Sequence, residues 1–89
     1  MTDLFQVRDG GKSASFDGFV LEVAGLSGSA SSKRVAIEVL ESAAVAAAGD
    51  ELMFVVKSRK GGFGLMISQA RRGDWEQLAL RVNAARAAL

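Results

Sequence analysis

Two periodicities divide this chain, and the division comes late. From Phe5 to Ser68, apolar residues recur at every second position in short stretches. That is the period of a strand, whose successive side chains face opposite sides. Beyond Asp74 the spacing changes to three and four, the period of a helix. Such a chain folds as a succession of short strands followed by one helix. An antiparallel sheet with one apolar face needs a cover, and the helix stripe supplies it.

The strand region divides at its turns. Phe5 and Val7 alternate with Gln6 and Arg8 and predict a first strand, which ends at the Asp9-Gly10-Gly11 hairpin loop. Within Lys12 to Val23, Asp17-Gly18 stands between Phe16 and Phe19, a strong hairpin signal. On its far side Phe19, Leu21 and Val23 share one face, with Val20 and Glu22 on the other. Gly25 to Ser32 is small and polar and reads as the most mobile loop. Arg34 to Leu40 puts Val35, Ile37 and Val39 on one face of a strand, with a short helix through Leu40 and Ala43 as the competing reading. Ser42 to Ala48 is ambiguous, because Ala is the best helix former. The Gly49-Asp50 turn, leading straight into Glu51–Lys57, favours a strand. Glu51–Lys57 itself reads as a buried strand, rich in β-branched and aromatic residues. After the Ser58–Gly62 turn, Phe63, Leu65 and Ile67 share a face, and Gly64 between them predicts a bulge or the close approach of another backbone.

In the helical region Asp74 is placed to act as N-cap, with Gln77 three residues on completing a form of capping box. Trp75, Leu78, Val82, Ala85 and Leu89 fall on one stripe of a helix from about Trp75 to Leu89. Glu76, Gln77, Arg81, Asn83 and Arg86 lie off it, and Arg86 suits the negative end of the helix dipole.

Composition narrows the function classes. The 89 residues suffice for one domain spanning 1–89, and they bury roughly 60–65% of the surface of the unfolded chain. The net charge of +1 argues against a dedicated nucleic-acid binder, which needs a basic excess for phosphate contacts. There is no Cys and no His, so disulfides, thiolate chemistry, zinc sites and Ser-His or Cys-His catalysis are excluded within this chain. The carboxylates Asp17, Asp50, Asp74, Glu38 and Glu41 fall in turns, at the helix start or toward solvent, so no catalytic pair is expected. Gly61-Gly62-Phe63-Gly64 lacks the Lys-Ser/Thr that would close a phosphate loop. The reading is therefore not an enzyme, with no metal and no cofactor. No targeting or transmembrane segment is read, and a cytoplasmic location is expected. The 15 Ala, and Arg over Lys at 7 to 4, suit a bacterial genome of high GC content.

The element order resembles the pleckstrin-homology-like fold in its short bacterial variants, small actinobacterial domains of unassigned function. The likeness is carried by Phe16-Asp17-Gly18-Phe19-Val20-Leu21-Glu22-Val23, Val35-Ala36-Ile37-Glu38-Val39, Glu51-Leu52-Met53-Phe54-Val55-Val56 and the opening Asp74-Trp75-Glu76-Gln77-Leu78. It implies a mainly β (α+β) fold: a bent antiparallel β-roll or barrel of about six to seven strands, plugged by one C-terminal amphipathic helix. Members of that fold that bind phosphoinositides use a basic first hairpin loop. Here that loop is Arg8-Asp9-Gly10-Gly11-Lys12, mixed in charge, so lipid binding does not carry over.

Three candidate sites emerge. Lys57, Arg59 and Lys60 with Gly61-Gly62 concentrate charge at one turn, and Arg71 and Arg72 join them if the end of the next strand folds back. Such a set suits an anionic lipid headgroup, a phosphate or an acidic peptide; the plainer reading is a solvated turn. Phe63, Leu65 and Met66 suit pairing of an edge strand with another chain, or an ordinary core strand. Trp75 suits an interface anchor, but its place on the stripe favours the core. The leading expectation is a non-catalytic module binding a protein or peptide, a second copy of itself included. The alternatives are a binder of an anionic lipid or small anionic ligand through the basic set, and a subunit completing an enzyme with a partner.

Overall fold

The computed structural model describes residues 4–25 and 32–89. Seven strands form two antiparallel sheets, and one helix follows them. The first sheet has the order β1 (Phe5–Asp9), β2 (Lys12–Phe16), β3 (Val20–Ala24), β4 (Ser32–Ala36). The second has β5 (Leu40–Ala48), β6 (Glu51–Ser58), β7 (Phe63–Ile67). A 3₁₀ turn at Gln69–Arg71 leads into α1 (Arg72–Ala87). The mainly β class and the terminal helix are as expected. The strands stay in two sheets, however, and do not close into a barrel.

Alternation decides what is buried. Val7, Ala14, Phe16, Leu21, Val23 and Val35 face inward from the first sheet. Ala43, Leu52, Phe54, Val56, Leu65 and Ile67 do so from the second. The helix closes the space between them with Trp75, Leu78, Ala79 and Val82. Trp75 is 0% exposed and packs on Phe54, ring centroids 5.1 Å apart. Its indole N–H donates to Asp9 Oδ2 at 3.1 Å, so one side chain touches the helix, the second sheet and the first hairpin.

Several local expectations change. Phe19 does not join Leu21 and Val23 inside; it is 64% exposed. Asp17 Oδ1 accepts the backbone N–H of Phe19 at 2.8 Å and of Val20 at 2.9 Å. This side-chain turn holds Phe19 out of the strand, which begins at Val20. The strand expected over Arg34–Leu40 is cut at Ala36. Val39 N–H returns to Ala36 O at 3.1 Å, and the chain crosses to the second sheet through Ile37–Val39. Ser42–Ala48 is a strand, as the Gly49-Asp50 turn favours. Gly64 sits in regular register opposite Val55, without a bulge; the neighbour that fills its vacant Cβ space is the Met53 side chain, not a backbone. The irregularity in this sheet lies instead at Leu40/Ser42. Asp74 is not the cap. The 3₁₀ turn starts the helix at Arg72, which leaves Asp74 in the first turn, where its charge still favours the dipole. Leu89, expected on the stripe, follows the last helical turn and is 69% exposed. Most of the loop expected over Gly25–Ser32, residues 26–31, lies outside the described residues.

Candidate functional site

The basic set is divided by the fold. Ser58–Gly62 joins β6 to β7, whereas Arg71 and Arg72 follow the far end of β7. The five residues of that strand separate the two groups by about 13 Å or more. Arg71 pairs with Asp74 at 3.6 Å and Arg72 with Glu76 at 3.4 Å, both exposed. Arg59 is also committed: its guanidinium donates to Glu38 O at 2.6 Å and its backbone N–H to Val39 O at 2.8 Å. It holds the β4–β5 crossing in place. The two glycines have structural reasons. Gly61 has φ +111°, and a Cβ on Gly62 would meet Val56 O at 2.8 Å. Ser58 Oγ donates to Gly61 O and closes the turn. Lys60 gains neighbours that lie far from it in the sequence. With Lys33, Arg34 and Phe63 it lines a cleft of about 170 Å³, Lys33 Nζ lying 5.8 Å from the Phe63 ring centre. These cations are solvated, and Arg34 pairs with Glu22 at 3.5 Å.

The interface set is divided too. Leu65 is 3% exposed and belongs to the core. Phe63 is half-buried against the core. Met66 points to the opposite side of β7 and opens onto a surface that no single strand reveals.

That surface is the outer face of the second sheet. Leu52, Phe54 and Val56 point inward, so Glu51, Met53, Val55 and Lys57 point outward. The register sets their neighbours in rows. Ala44, Val55 and Gly64 form one row; Ala46, Met53 and Met66 form the next. Both rows are apolar, and their side chains are exposed or half-buried. Charge flanks them: Lys57 lies beside Ser42 at one end and Glu51 beside Ala48 at the other, and the Lys12 ammonium sits against Met66 O at the β7 edge. The composition of Glu51–Lys57 predicts a buried strand, but only one of its faces is covered. The signal is the unbroken apolar run Leu52-Met53-Phe54-Val55-Val56. In an antiparallel sheet with one solvated face that run should alternate.

The outer face of the first sheet is different. A shallow concavity of about 420 Å³ there is lined by Gln6, Arg8, Lys12, Ser13, Ser15 and Glu22, among others. This is an ordinary polar sheet face.

Where the two sheets meet, Asp9 is the junction. Its Oδ2 accepts from Ser68 N–H at 2.9 Å and from the Trp75 indole, and Lys12 Nζ donates to Met66 O. Partial burial pushes the Asp9 carboxyl up, but the hydrogen bonds from Ser68 and Trp75, with help from the Lys12 charge, outweigh it and hold the group below the ordinary aspartate value.

Compared with protein-family models, curated proteins and solved structures, the chain matches none. Among the described residues no group of three His, Cys, Asp or Glu is placed to hold a metal ion, and no helix is long and apolar enough to cross a membrane.

Proposed function

We propose that this domain is a non-catalytic protein-interaction module of pleckstrin-homology-like build, and that it docks its partner on the outer face of β5–β6–β7. The observation that carries the reading is the pair of uncharged rows, Ala44-Val55-Gly64 and Ala46-Met53-Met66. A sheet face toward water normally carries polar side chains, as the first sheet does with Gln6, Arg8, Ser13, Ser15 and Glu22. Contiguous apolar surface rimmed by charge is the mark of an interaction site. The four-plus-three strand order with a terminal helix supports the family likeness. The partner's chemistry follows from the face: a flat apolar surface bearing a cation opposite Glu51 and an anion opposite Lys57.

The test places a photo-crosslinking amino acid at Val55 in cells, with the same group at Gln6 as control. A discrete adduct from Val55, absent from Gln6 and lost when Met66→Glu is added, is the expected outcome; mass spectrometry identifies the adduct. Equal adducts from both positions, or none from Val55, would overturn the reading.

A further inference from the structure

Resting on that interaction reading, we infer that the occupant of this face is a second copy of the chain, packed face to face about a twofold axis. The outer face of β5–β6–β7 has four rows in order: Ser42 and Lys57; Ala44, Val55 and Gly64; Ala46, Met53 and Met66; Ala48 and Glu51. A twofold axis in the plane of the interface, perpendicular to the strands and passing over Phe54, reverses the strand direction and keeps each strand over its own copy. Row one then lies on the partner's row four, and row two on its row three. Every consequence is complementary. Lys57 faces the partner's Glu51 at both ends. Val55 lies over the partner's Met53 and Gly64, covered by its own Met53, over the partner's Met66, so apolar side chains meet apolar side chains throughout the two central rows. Methionine is unbranched and adapts to such a surface. The alternative twofold, parallel to the strands, sets Lys57 against Lys57 and Glu51 against Glu51, and is disfavoured by that repulsion.

Size fixes the strength. Three strands about 4.8 Å apart and about 20 Å long present roughly 300 Å² per copy. A standard stable interface buries about 800 Å² per partner. The assembly is therefore in the class of weak, reversible contacts.

A dilution series of the isotope-labelled full chain, from about 1 mM to about 20 μM, tests this by amide chemical shifts and rotational correlation time. The expected result is concentration-dependent shifts confined to residues 42–48, 51–57 and 63–66, with slower tumbling at high concentration. Lys57→Glu and Glu51→Lys each weaken association roughly tenfold, because two symmetry-related pairs turn repulsive. The double swap Glu51→Lys/Lys57→Glu restores it. Both side chains are exposed, and the spectra report directly that each variant folds. Monomer tumbling throughout, shifts centred on another surface, or a double swap no stronger than the singles would each overturn the inference. Monomer tumbling with the Val55 adduct to another protein intact removes only the second copy as occupant. Loss of that adduct as well removes the interaction reading itself.

Discussion

At the scale of single residues, Asp9 does the most joining. Its carboxylate gathers Ser68 N–H from the end of β7 and the indole N–H of fully buried Trp75. Those bonds favour the charged form and lower the carboxyl from its ordinary value despite partial burial. A group whose folded value is depressed stabilises the fold at any pH above its unfolded value. That contribution fades as the pH falls through the folded value, because the folded state must then take up the proton it resisted. Asp17 is lowered as well, by the N–H groups of Val20 and Phe19, and adds its own acid-side slope. The variant Asp9→Asn isolates the first contribution. Urea unfolding from pH 7 to about 2.5 should show wild type less stable below about pH 4. Asp9→Asn should start about 1 kcal/mol lower at pH 7, with charge-assisted bonds made neutral, and converge on wild type in acid. Parallel stability curves for the two proteins would remove this role from Asp9.

At the scale of elements, the free edge of β5 is managed by the helix. Asn83 donates Nδ2–H to Ala43 O at 2.7 Å and accepts Ala43 N–H at Oδ1 at 3.0 Å, while Arg86 Nε donates to Leu40 O at 2.7 Å. Two polar side chains that lie off the apolar stripe thus complete the hydrogen bonding of an edge strand. Asn83→Ala leaves both Ala43 groups without their partner and should cost about 1–3 kcal/mol. Hydrogen exchange checks it: the Ala43 amide should lose protection in the variant, and unchanged protection would mean that the edge is held without Asn83. Strand alternation and the helix stripe are local properties, which is why Phe5–Asp9, Phe63–Ile67 and the Trp75-Leu78-Val82 face are legible in the sequence. Phe19, Ile37–Val39 and Asp74 are not, because each is set by a competing bond or turn: the Asp17 side chain, the crossing between sheets, and the 3₁₀ turn ahead of the helix. The outer face is hidden for a related reason. It is a property of three strands in register, while the basic and apolar sets are each drawn from one strand and its loops. Register brings Met66 to the face and puts Leu65 beneath it.

At the scale of the whole molecule, the question is whether two unclosed sheets and a helix unfold as one. Trp75 answers it structurally. The chain has a single Trp, 0% exposed, packed at a tilt on Phe54 of the second sheet and bonded to Asp9 of the first, on the helix that lies between them. No sheet can release the helix without exposing this ring, and the helix cannot leave without opening both inner faces. Fluorescence from the one Trp and far-UV circular dichroism should therefore report the same urea midpoint and slope, as a two-state domain requires. Trp75→Ala should remove about 3–5 kcal/mol, a large share of a total on the order of 5–15 kcal/mol for a domain, and move the urea midpoint down sharply. Trp75→Phe keeps most of the volume but gives up the bond to Asp9, so its loss by circular dichroism should be smaller, about 1–2 kcal/mol. A fluorescence transition that precedes the circular dichroism transition would mean that the helix detaches while the sheets persist. The inner face of β5–β6–β7 would then be uncovered as well as the outer one, and self-association measured near that midpoint would no longer belong to the native surface.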